Sequence, residues 1–132
     1  MITAYIDGAS IGNPGKVGAG YVLYKDGKVL SAKGVGLGVQ TNNFAEYMAL
    51  IFAVTEMLRL GEKSCEVFSD SQLLCEQMNG RYKVKNNNII PLFILASHLV
   101  KCLDNFSIRH IPREQNKEAD KLSKEAAGYY LG

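Results

Sequence analysis

The chain has 132 residues, 47% of them hydrophobic and 21% charged, which is one ordinary domain's length with enough apolar side chains for a core. The formal net charge is only +2, and the balance excludes a disordered, collagen-like or strongly polyelectrolyte chain. Cysteines at 65, 75 and 102 form no C-x-x-C pair, which argues against a disulfide framework or a zinc site and predicts a reducing, cytoplasmic setting.

The first residues, MITAYIDGAS, lack a charged segment followed by an apolar run, so no signal peptide is expected. Ile2, Ala4 and Ile6 alternate with Thr3, Tyr5 and Asp7, a strand pattern running through ITAYIDGA. SIGNPGKVGAG reads as turn chemistry around Asn13-Pro14-Gly15. GYVLYKDGKVLSAKGVG reads as two strands joined by an Asp26-Gly27 hairpin, so a three-stranded antiparallel meander fills the first 36 residues.

From Asn42 the period changes to that of a helix apolar on nearly every face, running to about Leu60 with Gly61 as its stop. SCEVFSD is a short strand, and a short helix, QLLCEQMNG, starts after Ser71. RYKVKNNN is polar and basic. IIPLFILASHLVKCL is a helix with Pro91 in its first turn, where proline is tolerated. Its apolar stretch, residues 89–100, falls well short of the roughly 20 residues that span a membrane. NFSIRHI is the last strand, PREQN a loop and KEADKLSKEAAG an amphipathic helix. The order βββ-α-β-α-α-β-α implies an α/β fold: a mixed five-stranded sheet, the meander plus two parallel strands, flanked by helices in one domain over 1–132. The closing GYYLG reads as a tail that either packs near the site or frays.

The charge is unevenly placed: residues 1–66 carry six basic and six acidic side chains, residues 67–132 nine and seven. That mild excess is compatible with a nucleic-acid partner if some acids are neutralised by metal.

Four carboxylates stand in unfavourable places. Asp7 lies at what reads as the end of the first strand, and Asp70 ends SCEVFSD. Glu46 is the only charged residue between Asn42 and Thr55, with no basic residue one turn away. Asp120 is near the start of the last helix. Three have ordinary structural readings: Asp7 capping a turn, Asp70 capping a helix, Asp120 complementing a helix dipole. Glu46 resists one, because a buried carboxylate costs several kcal/mol unless paired or metal-bound. Ligands of α/β sheets collect at the carboxyl ends of strands, where four carboxylates would need cations between them. All-oxygen donors select Mg²⁺ or Mn²⁺, and two such ions about 4 Å apart cleave phosphodiesters.

DGASIGNPG, TNNFAEY, SDSQLL and NKEADKLS, in this order and spacing, resemble the four signature blocks of type 1 ribonuclease H. The resemblance covers Ile2 to about Gly128. It implies the ribonuclease H-like fold, a metal-binding catalytic tetrad of Asp7, Glu46, Asp70 and Asp120, and two Mg²⁺ (or Mn²⁺) ions. It implies cleavage of the RNA strand of an RNA–DNA hybrid, leaving 5′-phosphate and 3′-hydroxyl ends. Carried over by motif, Gly8, Ala9, Ser10, Asn13, Asn42, Asn43, Ser71 and Gln72 would meet the substrate. Amide side chains and close-approaching backbone suit a 2′-hydroxyl, the group that distinguishes ribose from deoxyribose. Asn13 also reads as an ordinary turn residue and Asn42 as an ordinary helix cap.

The chain departs from the family twice. The loop IPREQNKEAD lacks the histidine many members carry there; His98 and His110 read as structural, leaving Arg113 or Glu114 as substitutes. The basic, tryptophan-rich protrusion of larger bacterial members is also missing. Arg81, Lys83 and Lys85 would grip a DNA backbone in its place, with Tyr82 stacking, or form a solvated connector. Other RNA-containing duplexes remain open as substrates, a monomer is expected, and no membrane partner is. The competing readings are a hybrid- or RNA-binding module of the same fold without efficient turnover, and a junction resolvase.

Overall fold

Alternation along the first strand sorts the molecule into layers. Ile2, Ala4 and Ile6 are fully buried on one face of the sheet, while Thr3 and Tyr5 are half-buried on the other. The computed structural model describes residues 1–128; the tail reading at 129–132 lies outside them. The elements are β1 (Ile2–Ile11), β2 (Gly15–Lys25), β3 (Lys28–Gln40), α1 (Asn42–Arg59), β4 (Ser64–Ser69), α2 (Gln72–Met78), α3 (Ile90–Val100), β5 (Asn105–His110) and α4 (Lys117–Ala127). A single 3₁₀ turn, Arg113–Gln115, interrupts the loop before α4.

The sheet order is β3-β2-β1-β4-β5. The first three strands form the antiparallel meander, and β4 and β5 add in parallel. The Asp26-Gly27 hairpin forms as its sequence predicts, with positive φ at both residues. The meander is longer than its turn-rich sequence suggests. Between β1 and β2 only residues 12–14 are turn; β1 runs on to Ile11, β2 starts at Gly15, and β3 continues past residue 36 to Gln40. Asp7 is therefore mid-strand. What ends near it is the parallel ladder with β4, whose last pair is Ile6–Ser69, while the antiparallel pairing with β2 carries on to Ile11. Turn-forming residues make β1 look shorter than it is, and where one of a strand's two neighbours stops is not encoded locally at all.

α1 fills the face beneath Ile2, Ala4 and Ile6 with Leu50, Ala53, Val54 and Met57, all buried, and α3 packs against α1. α4 lies on the opposite face across β1, β2 and β3. It presents its small buried residues Ala119, Ser123 and Ala127 to the sheet, and that contact requires glycine opposite. A Cβ on Gly20 would stand 2.7 Å from the Ala119 carbonyl oxygen. The close seat brings α4 within side-chain reach of Asp7, which pairs with Gly20 in the β1–β2 ladder.

Candidate functional site

Where the β1–β4 ladder ends, a groove of about 710 Å³ opens between the tips of the meander, the start of α1 and the start of α4. Its lining includes Asp7, Glu46, Asp70 and Asp120. Asp7, Glu46 and Asp70 each offer one carboxylate oxygen, and the three lie within 4.8 Å of one another. Asp120 stands beside this triad: it meets Asp7, and its Oδ2 accepts from Lys124 Nζ at 3.1 Å.

Each acid is held by a different device. Gly8 has no Cβ to meet the α1 backbone, where one would stand 2.6 Å from the Glu46 nitrogen. That approach lets the Gly8 N–H donate to Glu46 Oε1 at 2.7 Å. Asp7 accepts from the Ser123 hydroxyl at 2.7 Å. Asp70 follows β4 and accepts from Asn116 Nδ2 at 3.3 Å. The structural alternatives for Asp7 and Asp70 fall away: no turn follows Asp7, and α2 is capped by Ser71, whose hydroxyl accepts from Leu74 N–H. Asp120 does lie in the first turn of α4, together with Glu118.

Electrostatics mark the cluster as one that either keeps protons or takes up cations. Burial, then the Asp70 charge, lift the Asp7 carboxyl from 3.8 to about 8 against the lowering bond from Ser123. Burial, then the Asp7 and Asp70 charges, push Glu46 well above its ordinary value. Glu46 Oε2 is sealed from solvent with no hydrogen-bond partner. An orphaned buried carboxylate oxygen facing two further carboxylates is what a divalent ion bound by oxygen ligands would satisfy. The residues fit such an ion.

The sign of the resulting pH dependence follows from linkage. In metal-free protein these two carboxyls keep protons that the unfolded chain releases near pH 4, so the folded state binds more protons above that pH. Stability therefore falls as pH rises from about 4 to about 8. Melting in chelator should show a lower midpoint at about pH 8 than at about pH 5.5, with added Mg²⁺ raising it more at the higher pH. A midpoint that climbs over that range would contradict the burial of protonated carboxyls.

Of the remaining sequence-predicted positions, Gly8, Ala9, Ser10, Asn13, Asn42, Asn43, Ser71 and Arg113 line the groove, and Gln72 does not. Asn42 is not the helix cap. Thr41 caps α1, accepting from Phe44 N–H, and the Asn42 N–H donates to Asn13 Oδ1 at 3.2 Å, tying the β1–β2 tip to α1. Arg113 faces the groove while Glu114 lines a separate pocket with Tyr5 and Tyr24, so of the two substitutes only Arg113 is at the site. Arg81, Lys83 and Lys85 lie outside the groove lining, and Arg81 pairs with Glu76 at 2.8 Å. Sequence reasoning missed Lys124, Asn86, Ser123 and Asn116. Lys124 had a signal in its i,i+4 spacing from Asp120; Asn86 sits in an aperiodic polar run and had none. The three cysteines are free, and no helix among the described residues is long and apolar enough to cross a membrane.

Comparison with known proteins places this geometry. A family described as reverse transcriptase-like matches residues 6–126. Ribonuclease HI of Halobacterium salinarum is 39% identical over 95% of the chain, which spans 63% of that relative's length. The bifunctional protein Rv2228c of Mycobacterium tuberculosis is 37% identical over 91% of the chain, which spans only 34% of it. Among solved structures, LC11-RNase H1 in complex with an RNA/DNA hybrid superposes with a TM-score of 0.92 at 37% identity, each chain covering all of the other.

Proposed function

The chain belongs to the type 1 ribonuclease H family, and from that premise we propose that it is an endoribonuclease hydrolysing the RNA strand of RNA–DNA hybrids, with 5′-phosphate and 3′-hydroxyl products. The observation that carries the reading is the sealed, unpartnered Glu46 oxygen against Asp7 and Asp70 on the groove floor. The reading takes residues 1–132 as one catalytic domain, monomeric and cytoplasmic.

Asp7, Glu46, Asp70 and Asp120 would hold two Mg²⁺ (or Mn²⁺) ions. When bound, such ions supply an activated water at neutral pH and stabilise charge on the leaving oxygen. The chain's own residues do the rest. The Gly8 N–H fixes one oxygen of Glu46, leaving the other for coordination, and the Ser123 hydroxyl does the same for Asp7. Gly8, Ala9 and Ser10 bring strand backbone to the groove wall, and Asn13, Asn42, Asn43 and Ser71 surround it with amide and hydroxyl groups. Such groups donate to and accept from a ribose 2′-hydroxyl, so the RNA strand would lie over the acids. Arg113 offers a planar, permanently charged donor for a phosphate; it cannot take a proton, so its part is to position the backbone.

The test is a panel of labelled RNA–DNA hybrid, duplex DNA and duplex RNA, each with and without Mg²⁺ or Mn²⁺. Metal-dependent cleavage of the hybrid's RNA supports the reading. Tight hybrid binding without cleavage would make the protein a binding module, and cleavage of branched or duplex DNA would make it another nuclease of this fold.

The DNA strand would run toward Arg81, Lys83 and Lys85, all exposed beyond the groove. Replacing all three by alanine should make the salt slope of hybrid binding shallower by about two to three units, at roughly 0.7–0.9 per phosphate contact. The kcat at saturating substrate should hold, since these contacts act equally on ground and transition states. An unchanged slope would show the segment to be a solvated connector and put the grip on Arg113 and Lys117.

A further inference from the structure

Asn116 is 1% exposed, and its side chain spans the gap between the sheet and the last helix. Its place in sequence, directly before α4, is that of an N-cap, where an asparagine's side-chain oxygen ordinarily accepts from the first-turn N–H groups. Here it makes no such bond. The amide is turned into the sheet instead. Nδ2 donates to the Ile6 carbonyl at 2.8 Å and to Asp70 Oδ2 at 3.3 Å. Both partners are acceptors, so only the NH₂ end can meet them, and the orientation is dictated by chemistry. Oδ1 is left buried without a partner, which a residue selected only to satisfy the interior would avoid.

The residues it touches are those next to, or bearing, the acids. Ile6 closes the β1–β4 ladder and precedes Asp7. Asp70 is itself one of the cluster. The Asn116 backbone carbonyl accepts from Asp120 N–H at 3.0 Å, fixing the first turn of α4. One buried side chain and its own carbonyl thus hold three of the four carboxylates in register across β1, β4 and α4. A lysine or arginine there would bring a competing cation; a neutral amide orients Asp70 and leaves its charge available.

We propose that Asn116 is a positioning residue for the metal-binding carboxylates, setting their affinity for divalent ions by anchoring Asp70 and the start of α4 to the end of β1. The proposal rests on the metal-centre reading of the site, which wild-type Mg²⁺ binding and hybrid cleavage test on their own. Asn116→Ala removes the donor; Asn116→Asp keeps the size and replaces the donor with a further acid.

Each variant is checked for folding by its melting transition in chelator, then titrated calorimetrically with Mg²⁺, and its KM for hybrid is measured at saturating metal. Groups that orient metal ligands typically govern affinity by about 10–100-fold. Asn116→Ala should therefore bind Mg²⁺ at least about 10-fold more weakly, with Asn116→Asp no better, a KM within about threefold of wild type, and activity partly recovered as Mg²⁺ is raised. A purely structural role would lower the melting midpoint and leave metal affinity alone. Mg²⁺ affinity within about twofold of wild type in a folded variant would overturn the proposal, as would failure of both variants to fold. If wild type itself bound no Mg²⁺, the reading of the site would fail instead.

Discussion

Glu46→Gln is expected to abolish turnover while leaving the protein folded. The glutamine keeps the shape and can still accept from the Gly8 N–H, so the local geometry of α1 against β1 survives. What disappears is one negative charge at the most enclosed point of the acidic cluster. Loss of a single group that stabilises transition-state charge costs on the order of 10²–10³ in kcat, and loss of a metal ligand should cost at least that. Metal-free stability should be equal or higher, because a neutral amide replaces a carboxyl held far from its ordinary ionisation by burial and by Asp7 and Asp70. Leu50→Ala, on the same helix, provides the contrast. Leu50 is fully buried, and the cavity should cost about 2–5 kcal/mol with catalysis intact in the folded fraction. If Glu46→Gln unfolded the protein and Leu50→Ala did not, Glu46 would be a structural residue of α1 and not a metal ligand.

Asp70→Asn should be nearly as damaging. Asp70 is less enclosed than Glu46, and its Oδ2 already takes a donor from Asn116, so the asparagine can keep that contact through its own carbonyl. The charge is lost all the same. Activity should fall by on the order of 10² or more and should not return at saturating Mg²⁺, since the missing element is a ligand and not an occupancy. Metal-free protein should melt slightly higher, because repulsion on Asp7 is relieved. Wild-type cleavage by this variant would remove Asp70 from the metal site.

Much of this was legible in the chain itself, for physical reasons that differ from residue to residue. Glu46 stood out because an isolated charge on an otherwise apolar helix has few explanations, and the element order followed from a change of period at Asn42. Asp7 was found but misplaced: turn-forming residues around Asn13 hid the fact that β1 and β2 pair out to Ile11 and Gly15. Thr41, not Asn42, is the cap of α1, a one-residue distinction that propensities do not resolve. Ser123 left a trace, since Ala119, Ser123 and Ala127 repeat at four-residue spacing as the small face of α4, but its bond to Asp7 crosses 116 positions. Asn116 left a misleading one, a cap position whose side chain does not cap. Such contacts depend on how α4 seats on the glycine-lined face of the sheet, and local sequence does not encode that directly.

Whether these carboxylates drive attack by water on the RNA strand is read most directly from the ends left when a hybrid is cut. The RNA strand is labelled, digested with Mg²⁺ or with chelator, and its fragments examined for terminal groups. Metal-activated water should leave 3′-hydroxyl and 5′-phosphate ends, an intact DNA strand and no products in chelator. Cyclic 2′,3′-phosphates and 5′-hydroxyls formed without metal would mean that the ribose 2′-hydroxyl is the nucleophile, and that the acidic cluster is not the catalyst.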